Sequence, residues 1–232
     1  MTTQQVISRA KKEGRRILTE VEAKELLKQA GINVVETRLA TSKDEAVAIS
    51  KQLGFPVVLK IASADVVHKS DAGGVKLDLT TAEQVGKAYD DILKSVKKQF
   101  PDAKIQGVSV QQMAHPGVEI IIGMSTDAQF GPVLMFGLGG ILVEVLKDVS
   151  FRVVPLEMKD AREMVREIKG YPVLEGFRGQ EPVNVANLEE MLIKVSAFVE
   201  QNPEVEQLDL NPVFAYRDGA VAVDARVILA EK

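Results

Sequence analysis

The stretch that most constrains the fold lies between residues 57 and 79. Two apolar runs, 57–61 and 75–79, bracket a polar loop that carries His68 and the pair Gly73-Gly74. Valine-rich runs of this length bounded by turn residues read as strands, so the chain is committed to a sheet with a chemically equipped connection. Gly-Gly allows a positive φ and a close backbone approach to a ligand, and Lys60 places a point charge at the end of the first run. That combination suits phosphate. A hairpin with a glycine turn and a solvated lysine satisfies the same residues, and the stretch alone leaves both readings open.

Composition narrows the class. The chain has 232 residues, 46% apolar and 27% charged, with a net charge of −4. It is long enough for a substantial core, as one large domain or two lobes. Both signs of charge are interspersed, so no basic footprint argues for nucleic acid, and no apolar run approaches a membrane span. The first residues lack the apolar core of a signal peptide. The absence of cysteine excludes disulfides and thiolate metal sites and fits a cytoplasmic setting.

Helices are announced by their caps. Thr19 with Glu22, Ser42 with Glu45 and Thr81 with Gln84 each place a hydroxyl at the N-cap and a Glu or Gln three residues on. Apolar residues follow at helical spacing in each case, with Gly31, Gly54 and Pro101 as stops. Strand-like runs at 34–39, 56–61 and 75–79 lie between them, which predicts helices packed on a small sheet. From residue 108 the texture becomes β-rich, with short runs at 108–113, 119–124, 133–136, 141–146 and 152–156, whose close spacing predicts an antiparallel sheet. Two helices follow, over 160–169 and over 187–200 with Asn187 as N-cap, then two strands at 208–215 and 220–228. The expected architecture is α+β in two lobes: an N-terminal helical segment 1–18 packing on the second lobe, a first lobe over 19–107 and a second over 108–232.

Three nucleotide-binding patterns compete for these residues. The P-loop string is absent. A dinucleotide fingerprint on Gly137-Leu138-Gly139-Gly140 puts Leu142 at its third glycine position, and the residues after it are β-rich rather than helical. The third pattern is a phosphate loop in one lobe with metal ligands in the other. For this, Asp209 and Asn211 fall on one face of a strand by period-two alternation, and Asp224 lies in the next strand across a hairpin. Such hard oxygen donors suit Mg²⁺ held partly by phosphates. Turn chemistry at Asn-Pro and Asp-Gly accounts for some of the same residues.

Phe55-Pro56-Val57-Val58-Leu59-Lys60, the loop from His68 to Val75, the string from Phe130 to Gly140 and Asp209-Leu210-Asn211-Pro212 together resemble the ATP-grasp fold. More narrowly, they resemble the β subunits of ADP-forming acetate–CoA ligases, over essentially the whole chain. The resemblance implies two α+β lobes with a nucleotide bound between them, and ATP or ADP as substrate with Mg²⁺. It implies that Lys60 contacts phosphates beneath the loop through Gly73 and Gly74, that Gln111, Met113 and Ala114 meet adenine, largely through backbone groups, and that Glu119 faces the ribose or a neighbouring loop. Asn211 and Asp224 match the Mg²⁺ ligands. Asp209 faces a phosphohistidine arriving from a CoA-binding α subunit, and Arg226 lies two residues beyond Asp224 on the same strand face; both count among the catalytic positions. The CoA-binding part is expected on that partner, in an α2β2 assembly. More distant succinyl-CoA synthetase β chains have a glycine-rich segment where this chain has His68. Histidine is nucleophilic near neutral pH and forms covalent intermediates, so with the resemblance His68 is expected to relay the phosphoryl group, the alternative being a histidine that only hydrogen-bonds a phosphate oxygen. Two other functions fit parts of the sequence: a stand-alone ATP-grasp carboxylate–amine ligase, and a nucleotide-binding regulatory subunit without turnover.

Overall fold

The computed structural model describes residues 1–66, 68–140, 147–177, 179 and 181–231. They divide into two compact units. The larger comprises residues 1–18, 23–34 and 116–232, and the smaller comprises residues 19–22 and 35–115.

The smaller unit is a four-stranded antiparallel sheet with helices on one face. Its strands are β1 (Thr37–Ala40), β2 (Val57–Ala62), β3 (Val75–Leu79) and β4 (Gly107–Gln112), in the order β1-β4-β2-β3. Helices α3 (Lys43–Leu53) and α4 (Ala82–Gln99) bury Ala46, Ile49, Val85, Ala88, Ile92 and Val96 against Val57, Leu59, Ile61, Val108 and Val110. Ser42 and Thr81 cap these helices as expected. The side chains of Glu45 and Gln84 reach one residue further back, to the backbone N–H and hydroxyl of Thr41 and Thr80.

The expected boundary at 107/108 is corrected here. β4, read as the first strand of the second lobe, is instead hydrogen-bonded between β1 and β2, so the unit continues to His115. Alternating apolar residues show that a strand exists but not which sheet receives it. Residues 33–34 also change sides: Val34 bridges Ala222 and the Asn33 carbonyl accepts the Ala222 N–H.

In the larger unit, β5 (Val118–Asp127), β6 (Gly131–Leu138), β7 (Val149–Val153), β8 (Val205–Tyr216) and β10 (Ala225–Leu229) form an antiparallel sheet ordered β10-β8-β5-β6-β7, with β9 (Gly219–Ala222) paired to β8. Its inner face carries Ile120, Ile122, Leu134, Phe136, Leu208, Leu210 and Val227. Against it pack α1 (Thr3–Lys12) through Val6, Ile7 and Ala10, and α5 (Met158–Glu167) through Met164 and Val165. A single turn, α6 (Tyr171–Leu174), adds Leu174, and α7 (Val185–Gln201) adds Leu188, Leu192, Val195 and Phe198. Helix α2 (Glu20–Gln29) contributes Leu26 and Leu27.

Two details differ from expectation. The N-cap of α7 is Asn184, whose side chain accepts the Asn187 N–H. The expected last strand is broken at Val223–Asp224, where the Val223 N–H bonds the Pro212 carbonyl. The strand-like run at 141–146 lies outside the described residues. Among the described residues no helix is long and apolar enough to cross a membrane.

Phe136 is fully buried at the centre of the larger core. Phe136→Ala should cost about 3–5 kcal/mol through lost burial and the cavity left behind, read as a lower urea midpoint with an unchanged m-value.

Candidate active site

In the smaller unit, the candidate residues gather at β2 and the loop after it. Lys60 is not a solvated strand end. It sits inside β2, opposite Val75 and Ser109, and is 6% exposed. Its side chain points away from α3 and α4, on the face that also buries Val58 and Gln111. An ammonium there needs a partner, and the carboxylate of Glu20 supplies it: Oε1 accepts from Lys60 Nζ at 2.8 Å and Oε2 from Lys69 Nζ at 2.9 Å. Glu20 is the first residue of α2, behind a capping box in which Thr19 and Glu22 exchange backbone-to-side-chain bonds. A neutral residue at Lys60 therefore costs stability as well as charge.

His68, exposed, opens a compact turn closed by Ala72 N–H to His68 O, Gly73 N–H to Ser70 O and Gly74 N–H to Lys69 O. The two glycines serve packing here. Gly73 has a φ of +65° and a Cβ on it would lie 2.6 Å from Ser95 Oγ; one on Gly74 would lie 2.7 Å from Ile61 Cγ2 and 2.9 Å from the Lys69 carbonyl. Their N–H groups are thus engaged within the turn, and their part in any phosphate site is to let the turn close. The Ala72 carbonyl accepts from Ser95 Oγ and Gln99 Nε2, tying the turn to α4. At the end of β4, Gln111 is buried and accepts from Thr37 Oγ1 at 3.4 Å. Met113 and Ala114 follow half-buried, and the Met113 N–H bonds the Pro56 carbonyl, which leaves its carbonyl and side chain as the groups a base can meet.

In the larger unit the sheet's outer face carries the rest. Across β8 and β5, Val213 pairs with Ile120 and Leu210 with Ile122, so Asn211 and Pro212 together oppose the single residue Ile121. This bulge breaks the alternation between Leu210 and Val213 and leaves Asn211 exposed on the same side as Asp209. Asp209 stands directly across from Arg226 in the β8–β10 register. Both line a groove of about 280 Å³ with Met135, Phe151 and Gln207. Burial pushes the Asp209 carboxyl above the usual carboxylate range; Arg226 opposes that rise and the charge of Asp224 adds to it. Asp224 lies in the break before β10, its Oδ1 accepting the Ala225 N–H.

Glu119 projects from β5 beside Gly139 and Gly140. The Gly139 N–H bonds the Glu119 carbonyl at 2.7 Å, and a Cβ on Gly140 would lie 2.8 Å from Glu119 Oε2. The glycine run that fails as a dinucleotide fingerprint thus seats this carboxylate. The same residues border an open cleft of about 1180 Å³, lined also by Val173, Val183 and Tyr216. Apolar walls with a few polar groups suit a small organic ligand.

Among the described residues no three His, Cys, Asp or Glu side chains converge as a metal cage. The candidate oxygen donors in this unit are the carboxylates of Asp209 and Asp224 and the amide of Asn211, and the charge of Asp224 is felt at Asp209. That set fits Mg²⁺, which keeps most of its shell for water and phosphate. Sequence reasoning missed Glu20 and Lys69. The capping box marked Glu20 only as a helix start, and nothing in a local pattern joins it to a lysine forty residues away.

The fold is α+β, with a buried lysine near an exposed, turn-borne histidine, and the comparisons place it in a family. A family model described as the ATP-grasp domain matches residues 9–229. The β subunit of acetate–CoA ligase (ADP-forming) I from Pyrococcus furiosus is 50% identical over 97% of each chain. A dinucleotide forming acetyl-coenzyme A synthetase 1 from Ca. Korarchaeum cryptofilum, solved with coenzyme A, Ca-AMPCP and HgCl+, superposes with a TM-score of 0.96 at 50% identity, covering 99% of this chain and 100% of that one. The same enzyme with coenzyme A and Mg-AMPPCP, its phosphohistidine segment pointing towards the nucleotide-binding site, gives 0.88 at 47% identity with the same coverage. The chain belongs to the ATP-grasp family, in the branch formed by the β subunits of ADP-forming acetate–CoA ligases.

The raised Asp209 carboxyl yields a signed prediction. A folded-state pKa above the unfolded value means that ionised Asp209 opposes folding at neutral pH. Asp209→Asn should therefore raise the thermal midpoint at pH 7. The difference from wild type should vanish as the pH falls below about 4, where both states of the wild-type residue are protonated. A midpoint lowered at pH 7 would contradict this.

Proposed function

We propose that the chain is the nucleotide-binding subunit of an ADP-forming acyl-CoA synthetase acting on acetyl-CoA or a related acyl-CoA. With a CoA-binding partner it catalyses acyl-CoA + ADP + phosphate ⇌ carboxylate + ATP + CoA. The observation that carries the reading is the placement of His68: an exposed imidazole on a turn whose next residue, Lys69, shares a buried carboxylate with Lys60.

In the direction of ATP synthesis, the partner's histidine arrives carrying a phosphoryl group. The Asp209 carboxylate accepts the N–H of that imidazole and orients it, with Arg226 beside it. A ring nitrogen of His68 attacks phosphorus, the P–N bond to the partner histidine breaks, and His68 carries the phosphoryl group. An oxygen of the ADP β-phosphate then attacks, the second P–N bond breaks and ATP forms. Lys60 holds phosphate oxygens during this exchange. Gln111, Met113 and Ala114 meet the base, Glu119 the ribose. Asn211 and Asp224 would hold Mg²⁺, which when bound neutralises charge on the phosphates. The Mg-AMPPCP complex of the Korarchaeum enzyme supports the cofactor, and that enzyme's phosphohistidine segment supports the relay and a hetero-oligomer, for which we propose α2β2.

The decisive assay mixes this chain with its CoA-binding partner. His68→Ala should abolish ATP formation while the partner still phosphorylates itself from acyl-CoA and phosphate. ATP synthesis retained by His68→Ala, or by the wild-type chain without any partner, would overturn the relay. For the metal, Asp224→Asn should lower turnover by about two orders of magnitude or more and raise the Mg²⁺ concentration needed, with the fold intact by circular dichroism. An unchanged Mg²⁺ dependence would remove Asp224 from the site.

A further inference from the structure

The reaction as drawn uses His68 and Lys60 but gives no role to Glu20 or Lys69, the other two members of the buried cluster. We propose that Glu20 is a positioning residue that aims His68, acting through Lys69; the inference rests on the phosphoryl relay at His68.

The turn from His68 to Gly74 is held at two points. On its far side the Ala72 carbonyl is fixed to α4 by Ser95 and Gln99. On its near side the anchor is Lys69, the residue beside His68, whose ammonium meets Glu20 Oε2 while its carbonyl closes the turn with the Gly74 N–H at 2.7 Å. Glu20 itself cannot drift: it is 6% exposed, begins α2 behind the Thr19–Glu22 capping box, and its other oxygen is taken by Lys60. One carboxylate thus sets the separation of two ammonium groups that would otherwise repel, one in the phosphate-contacting strand and one adjoining the nucleophile. Buried ion pairs contribute little net stability compared with apolar packing. Two such pairs sharing one carboxylate at the base of a reactive loop, one buried and one half-buried, are better understood as geometry. Near-attack placement is sensitive to shifts of about 1 Å, which can cost up to about a hundredfold in rate.

The test uses the full-length chain with ATP and Mg²⁺, following phosphate on His68 by rapid quench under alkaline conditions, alongside ADP affinity and thermal midpoint. Lys69→Met leaves the Glu20–Lys60 pair in place. It should slow His68 phosphorylation by about tenfold or more while ADP affinity changes by less than about twofold. Lys69→Arg, which restores the ion pair, should recover most of the rate. Glu20→Gln, similar in size, should slow phosphorylation at least as much and also weaken ADP binding, because Lys60 loses the same anchor. Wild-type rates in both Lys69→Met and Glu20→Gln would overturn the proposal and leave the relay standing. A slow Lys69→Met with Glu20→Gln at the wild-type rate would overturn it too, since Lys69 would then act on phosphate directly. A wild-type chain that never carries phosphate on His68 overturns the relay and this inference with it.

Discussion

Charge cannot be left inside a protein without an answering charge, and in the smaller unit that rule organises everything near the chemistry. Lys60 is placed on a buried strand face by the alternation of β2, Glu20 answers it from the first turn of α2, and Lys69 completes the set from the loop. The strand, the helix start and the turn that begins at His68 are thereby held by one carboxylate. The glycines, which looked like the ligand-facing part of the loop, have the steric task of letting it fold back on Ile61 and Ser95. Phosphate chemistry at such a place depends on positioning and preorganised charge more than on covalent participation by many residues.

The larger unit shows the opposite economy. Its inner sheet face is a close-packed apolar core, while the outer face keeps an acidic group whose ionisation burial disfavours. Asp209 is tolerated because Arg226 stands across from it in register. The bulge at Asn211–Pro212 turns the strand locally without disturbing Leu210 or Val213 in the core. Bulges commonly re-aim side chains in this way beside functional sites.

Much of this was legible in the residues. Helix starts at Thr19, Ser42 and Thr81 were read correctly because capping is local chemistry. The α+β class and the antiparallel pairing followed from the spacing of short apolar runs. What local pattern does not encode is partnership. β4 was assigned to the wrong lobe because its alternation is the same whichever sheet receives it. Asn187 and Asn184, three residues apart, offer the same capping side chain, and the helix takes Asn184. The partner of Lys60 is not legible either, because Glu20 lies forty residues away in sequence. The candidate site residues were named from the resemblance to ATP-grasp β subunits, and the family membership agrees with that resemblance.

The central claim is that His68 carries the phosphoryl group between the partner and ADP. A pulse–chase measures that directly. The chain is labelled with γ-³²P-ATP and Mg²⁺, freed of nucleotide at alkaline pH, and then offered unlabelled ADP on one side and dephosphorylated partner on the other. The account predicts label on His68 that is stable to base and labile to acid, and that passes to ADP as ATP and to the partner's histidine at rates no slower than turnover. Label that forms but chases more slowly than turnover, or a His68 that never acquires it, would contradict the account.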